Sequence, residues 1–489
     1  MSCTDKTFNT TRTRMKLLLT PLFILLSAMT VLYSGCGSSQ NNSNSKLIEL
    51  STWVSYNNDE MGLFSELTDE FVKDWNSKNP DKQIAIRASQ VPFGGLLPKL
   101  KTACQTHTTP DICRVDCAHV VPLAFGHAVY PLDELETFRN EYKSIDEMKE
   151  LYVAAAIDSN IIRVRRGNDW ETHVFGLPDT TNCVALFRNK SMFMENSKRL
   201  KKAGLDPHRA PKTWDELIEY GKIISTPPSS EEKRYGFAMD NSLWWSLPFF
   251  NSWGAEFLVR KDGKFTCLLD SQKSIDALTF KVNLYQQTYN SNSNQLSSSG
   301  LEKDGSEKVR VEAGAWIPGA ITKDTGFTNG MYAMIMSGPW NVQSFTRAGI
   351  NFEVSLLPEG PEGSSSNVGG TNLVVFKSCK YPEIAYQYIK FITSVKTQVR
   401  WCTALSQIPT MKEAFKLVSV DDKPALKTFY EQILKAKARP RVPSYEQLEG
   451  IINPEMELAL KGSKTPKQAL TDAVARINVE VLGPLNDAP

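Results

Sequence analysis

The chain carries almost no excess of charge of either sign. Its 56 lysines and arginines face 54 aspartates and glutamates, a net charge of +2 over 489 residues. A dedicated nucleic-acid binder shows a basic excess somewhere along its length, so a nucleic-acid partner is not expected. Catalytic signatures are missing as well. There is no HExxH, GxSxG or Walker pattern, and the five histidines form no metal-spaced pair. No short repeat period occurs, and no apolar run reaches the about 20 residues that a spanning helix needs. What remains has the ordinary balance of a soluble globular body, long enough for two or three domains.

The N-terminus has a pattern of its own. A polar, basic stretch (Lys6, Arg12, Arg14, Lys16) precedes the uncharged run Leu17 to Leu32, which contains Pro21. That run is short for a membrane span and suits a signal-peptide core; Met15 is a second candidate start. The run ends in Leu32-Tyr33-Ser34-Gly35-Cys36, and small residues before a cysteine there resemble the bacterial lipobox, with Tyr33 in place of the usual aliphatic residue. The resemblance implies lipidation of Cys36; the alternative is a secreted protein cleaved nearby. The Gly/Ser/Asn-rich residues 37–46 cannot bury a core and read as a tether.

Setting aside Cys3 and Cys36 leaves seven cysteines, an odd number that leaves at least one thiol unpaired. Cys113, Cys117 and His119 lie close enough to suggest a metal site. A strand over Ile112–Cys117 would, however, hold the two cysteines about 13 Å apart, and no fourth ligand lies nearby. They read as buried packing residues.

Apolar spacing predicts a strand over Leu47–Trp53, a helix over Asp59–Ser77, a strand at Ile84–Ala88, a helix over Leu96–Cys104 and a strand at Ile112–Asp116. That alternation argues for a parallel α/β sheet with right-handed crossovers. Further strands are expected at Val184–Phe187, Tyr332–Met336, Phe352–Leu356 and Leu373–Phe376. Helices are expected at Trp214–Ile224 behind an N-cap at Thr213, at Pro382–Thr393 and at Ala425–Leu434. Tyr289–Gly305, rich in Ser and Asn, reads as an exposed loop or insertion.

Several segments in order resemble the extracellular solute-binding proteins of family 1. They include Thr109-Pro-Asp-Ile112 with Asp116, Gly176-Leu-Pro-Asp-Thr-Thr-Asn182, Pro211-Lys-Thr-Trp-Asp-Glu-Leu217, Asn329 to Trp340 ending in Ser-Gly-Pro-Trp, Val368-Gly-Gly370, and Tyr445 followed by Thr465-Pro-Lys-Gln-Ala469. The resemblance covers roughly residues 47–480. It implies a two-lobed α/β periplasmic-binding-protein fold of type II, with lobes joined by crossing hinge strands. It divides the chain into a signal peptide 1–36, a tether 37–46, a first lobe 47–178 plus 369–420, and a second lobe 179–363 plus 421–489. It implies a monomeric sugar- or oligosaccharide-binding component of an ABC importer, facing the periplasm or cell exterior, partnered by permease subunits and needing no cofactor or metal.

Sugars present hydroxyls and flat C–H patches, so their sites combine planar hydrogen-bonding side chains with aromatic faces. Trp340, after Ser337-Gly-Pro, is the leading stacking candidate, and its alternative is packing under the crossover. Trp53 ends the first strand. Trp244, Trp245 and Trp253 crowd one stretch with Phe249 and Phe250, where some must be core and Trp245 and Trp253 are carried forward. Tyr445 is a candidate cap from the C-terminal portion. For hydroxyls, Asp116, Thr181, Asn182 and Asn341 are candidates; Asp116 could instead cap a helix. Gly370, with Gly369, allows either close approach of ligand or the crossover turn. Three other readings stay open: a secreted glycoside hydrolase with two placed carboxylates, a binder of a polyamine, phosphate ester or metal, and a structural or adhesive lipoprotein.

Overall fold

A computed structural model describes residues 47–487, except 168, 227–229, 262–263, 287, 291–295, 298–307, 311–320, 441 and 443. The expected signal segment, Cys36, the tether and most of Tyr289–Gly305 lie outside the described residues.

The chain opens with β1 (Ile48–Val54), α1 (Asn58–Lys78), β2 (Ile84–Gln90), α2 (Phe93–Thr106) and β3 (Ile112–Asp116). These elements agree with the periodicity of the sequence to within a few residues. A capping box opens α1: the Asn57 side chain accepts from the Glu60 N–H at 2.9 Å, and Glu60 returns the bond to the Asn57 N–H at 2.8 Å. β1 pairs in parallel with both β2 and β3, the arrangement that helical crossovers require.

Two later strands extend this sheet, the second of them in the opposite sense. They are β4 (Leu177–Asn182) and, further along the chain, β8 (Ser366–Val375); β8 runs antiparallel to both β3 and β4, while the short β9 (Ala436–Ala438) pairs with it in parallel. All ten residues of β8 are buried. The sequence predicts only its apolar end, Leu373–Phe376, because Ser366, Asn367, Gly369, Gly370 and Thr371 carry no hydrophobic signal. Ladder pairing on both sides, rather than apolar patterning, keeps that half of the strand inside.

A second sheet is built from β5 (Ala185–Asn189), β6 (Met334–Ser337) and β7 (Phe352–Ser355), in the order β6–β5–β7 and wholly antiparallel. Alternation along these strands divides two cores. Leu186, Met334 and Met336 face one, together with Trp214, Phe249 and Ile452. Phe187 and Ile335 face the other, with Phe345 and Phe429. Around the first core lie α3 (Trp214–Ile224), α4 (Leu243–Ser252), α5 (Gln272–Gln286), α8 (Tyr445–Leu460) and α9 (Pro466–Ile477); α6 (Lys323–Thr328) leads into β6, and α7 (Pro382–Ile392) backs the first sheet. Thr213 caps α3 as expected, accepting from Glu216 N–H at 3.1 Å. The result is a two-lobed α/β body with β4 and β8 as crossing strands.

Where the strands cross, charge is buried. Arg114 on β3 donates from Nε to Asp179 on β4 at 2.7 Å, and both side chains are almost wholly inside. Tyr56 OH and Thr371 Oγ1 also donate to Asp179, at 2.9 and 2.8 Å. Four chain segments therefore share one carboxylate, and satisfying it fixes their register.

Candidate functional site

The C-terminal end of β3, the glycines of β8, the N-terminal turn of α4 and the segment after β9 converge on one buried guanidinium. Arg439 Nη2 donates to Asp116 Oδ1 at 2.5 Å and contacts Cys117 Sγ at 2.7 Å. Its guanidinium lies 4.9 Å from the Trp244 ring centre and 5.4 Å from that of Tyr445. Asp116 also accepts from the Ala118 N–H at 2.8 Å. Burial opposes ionisation of Asp116, but Arg439 and that N–H together hold its pKa below the usual carboxylate range. Burial pushes the Cys117 thiol up to about 11 and lowers His119. It also pushes Glu449, near Arg439 and Asp116, up to about 7.

Trp244 lies directly over the crossing strand. A side chain at Gly369 would meet its ring at 2.4 Å and Asn182 Oδ1 at 2.5 Å, so the strand must be bare there. Asn367 Nδ2 fixes the same helix turn by donating to Trp244 O at 2.9 Å. The neighbouring Trp245 turns to Trp340, with ring centres 6.5 Å apart at 68°, an edge-to-face arrangement. Trp340 belongs to the 3₁₀ turn Pro339–Asn341 after β6, and its ring folds back so closely that a Cβ on Gly338 would lie 2.0 Å from it. From the N-cap of α1, Asn57 Nδ2 reaches Trp340 O at 3.3 Å. Asp59 likewise pairs with Arg347, and Lys101 on α2 with Glu446 on α8 at 2.5 Å.

Asp116, Asn182, Trp245, Trp340 and Gly370 thus stand at the end of β3, on the crossing strands β4 and β8, and on the two aromatic turns beside them. Other residues singled out in the sequence are engaged differently. Trp53 packs into a separate cluster with Leu96, Leu100 and Cys113, and Lys99 Nζ covers its ring at 3.9 Å; strand alternation turns it toward α2. Trp253 ends α4 and packs on Phe280 at 4.8 Å, so it belongs to helix packing. Thr181 is 1% exposed, its hydroxyl 3.3 Å from Gly369 O. Tyr445 is 2% exposed, a prop beneath Arg439 instead of an exposed cap. Asn341 Nδ2 donates to Ser337 Oγ at 2.9 Å. Gly370 has φ +149°, and a Cβ there would stand 2.3 Å from Thr180 O, so the crossing itself demands glycine.

Arg439, Trp244 and Lys323 were not among the residues carried forward as candidates. Arg439 offered a weak signal in Arg439-Pro-Arg441; nothing local marked Lys323, whose Nζ lies 4.0 Å over the Trp245 ring and 2.9 Å from Asp240. Arg439 also lines a cavity of about 480 Å³ with Leu247, Phe250, Phe257, Leu258 and Lys437, beside the tryptophan pair but not lined by it.

Among the described residues no group of three or more His, Cys, Asp or Glu could hold a metal ion, and Cys104, Cys113, Cys117, Cys183, Cys267, Cys379 and Cys402 are free thiols. No helix among them is long and apolar enough to cross a membrane.

Comparison with known proteins agrees with this architecture. The galactooligosaccharide-binding protein of Bacillus subtilis (strain 168) is 22% identical over 466 residues, spanning 92% of this chain and 94% of that protein. The sn-glycerol-3-phosphate-binding periplasmic protein UgpB of Salmonella paratyphi A is 23% identical over 441 residues, spanning 85% and 90%. The GacH receptor of Streptomyces glaucescens GLA.O, solved unliganded and with acarbose, superposes with a TM-score of 0.68 at 22% identity, covering 90% of this chain and 99% of that one. Residues 70–428 match the family described as bacterial extracellular solute-binding protein, and the chain belongs to that family.

Proposed function

We propose that the protein captures a neutral sugar or oligosaccharide between its lobes and delivers it to the permease of an ABC importer. The observation that carries this reading is the group of Trp244, Trp245 and Trp340, in which the cations lying over the rings are, among the described residues, already paired. Arg439 faces Asp116, and Lys323 faces Asp240. A phosphate ester needs free donors of positive charge, and a polyamine needs indole faces not already covered by a cation; the Trp244–Arg439 and Trp245–Lys323 contacts oppose both. A neutral polyol needs aromatic surface and amide groups, which Trp340, Trp245 and Asn182 supply.

In this reading the first lobe comprises 47–178 and 369–420 and the second 179–363 and 421–489. The lobes close by hinge motion about β4 and β8. The protein acts as a monomer without catalysis, exported and held to the membrane by lipid on Cys36. A thermal-shift screen against mono- and oligosaccharides, with spermidine and glycerol 3-phosphate as controls, tests the class, because a ligand of the native state raises Tm by mass action. Sugar is expected to raise Tm and Trp340→Ala to abolish the rise while the variant stays folded. A response to spermidine or glycerol 3-phosphate alone, or full affinity in Trp340→Ala, overturns the reading. Radiolabelled oligosaccharide should be recovered intact; turnover would mark an enzyme.

A further inference from the structure

Two lysines are buried where a solvated cation would be expected. Lys323, in the first turn of α6, is 4% exposed, and Lys281 on α5 is 1% exposed. Both point at the short segment that carries the tryptophan pair. Lys281 Nζ donates to Asn241 Oδ1 at 2.9 Å and to Ser246 Oγ at 2.6 Å, holding the residues on either side of the Trp244–Trp245 step. Lys323 Nζ pairs with Asp240 at 2.9 Å, has Asp324 at 3.5 Å, and stands 4.0 Å over the centre of the Trp245 ring. Burying an ammonium is costly, and it persists only where each donor is used. Here Lys323 divides its donors between two carboxylates and one indole face.

We infer that Lys323 is a positioning residue for the aromatic wall of the binding cleft: tethered by Asp240, its ammonium fixes the plane of Trp245, which through its edge contact fixes Trp340. Three consequences follow from the geometry. One face of Trp245 is permanently covered, so ligand stacks on Trp340 and meets at most the remaining face or edge of Trp245. A single Asp–Lys–Trp–Trp chain sets the orientation of both rings before ligand arrives, which reduces the ordering cost of binding. The α6 start, remote in sequence from α4, becomes part of the site. This inference rests on the sugar-binding reading only for its affinity readout; the ring placement stands apart from it.

The test uses the chain from residue 47 onward, which omits the proposed lipid-bearing Cys36, prepared as wild type, Lys323→Met, Lys323→Arg and Asp240→Asn. Lys323→Met keeps the stem that packs and removes the charge. Two readouts separate the claims. Acrylamide quenching, compared in a Trp245→Phe background, reports the mobility and exposure of Trp245. Titration with maltotriose, or with whichever trisaccharide raises Tm in the screen, reports affinity. Lys323→Met is expected to increase quenching assignable to Trp245, to weaken sugar binding roughly 3- to 30-fold, and to leave circular dichroism unchanged. Lys323→Arg should restore most of both, and Asp240→Asn should fall between. Unchanged quenching in folded Lys323→Met and Asp240→Asn proteins refutes the positioning role whatever the ligand. Changed quenching with no sugar bound by the wild type would leave the clamp standing and refute the sugar-binding reading. Affinity lost without any change in quenching would mean that Lys323 touches the ligand itself, and would also overturn the inference.

Discussion

Replacing Asp116 by asparagine leaves the Arg439 guanidinium buried with its hydrogen-bonded counter-charge gone. The two side chains are only 14% and 9% exposed and meet at 2.5 Å, so solvent cannot replace the lost carboxylate. Breaking a buried pair from one side costs about 3–5 kcal/mol, a roughly 10²–10⁴-fold change in the folding equilibrium. One group moderates the loss. Glu449 feels Arg439, and burial has pushed its pKa up to about 7. Asp116 is one cause of that rise, so in Asp116→Asn the Glu449 pKa falls below its wild-type value, and the ionised Glu449 then partly replaces the lost carboxylate. Asp116→Asn should therefore be more destabilising at acid pH, where Glu449 takes up its proton, than at pH 8. Urea unfolding followed by tryptophan fluorescence measures this directly. Arg439→Met should cost a similar amount, while the Asp116→Asn/Arg439→Met double variant should recover much of it, because no unpaired charge remains. Additive losses in that cycle, or the same loss at both pH values, would refute the argument that the pair and Glu449 form one electrostatic unit.

The crossing strand gives a second expectation. Gly370→Ala places a Cβ 2.3 Å from Thr180 O and 3.1 Å from Thr181 Cα, against ladder backbone that cannot swing aside, and should lower stability by several kcal/mol, about 3 or more, in urea titration. Lys281 gives a third. Its pKa is pushed down to about 7 by burial, while the unfolded chain keeps the ordinary 10.5. Between these values the unfolded state binds more protons, so stability rises with pH from about 7 to 10, by an upper bound of roughly 4–5 kcal/mol. Lys281→Met should flatten that slope; an unchanged profile would show that another group is responsible.

Much of the first lobe was legible because its residues obey simple periods. Phe64, Leu67 and Phe71 recur at helical spacing on α1, and Ile48 and Leu50 alternate on β1. The ends of these elements were displaced by a few residues only, as helix and strand termini are decided by caps and ladder bonds. β8 was half invisible, because its buried residues are polar and its stability comes from partners supplied by three other strands. The candidate site was less legible. Trp340, Trp245, Asp116 and Asn182 were singled out and lie on or beside the crossing strands and the aromatic turns next to them, while Trp53 and Trp253 carry the same residue type on faces turned into helices. Arg439 and Lys323 escaped notice because a surface-like residue becomes informative only when its burial is known.

What the sequence by itself determined is the kind of body this is: balanced in charge, without catalytic or metal-binding patterns, an alternation of strands and helices with ordered segments that a two-lobed binder requires. These follow from local rules acting over a few residues. Tertiary structure alone decided which aromatic rings meet, which carboxylate faces Arg439, and why Gly369 and Gly370 must be bare. Asp116 and Arg439 are 323 residues apart in the chain, yet 2.5 Å apart in space. Such pairings depend on the crossing of β4 and β8, and no local pattern can encode a contact whose partners are brought together only by the packing of the whole chain.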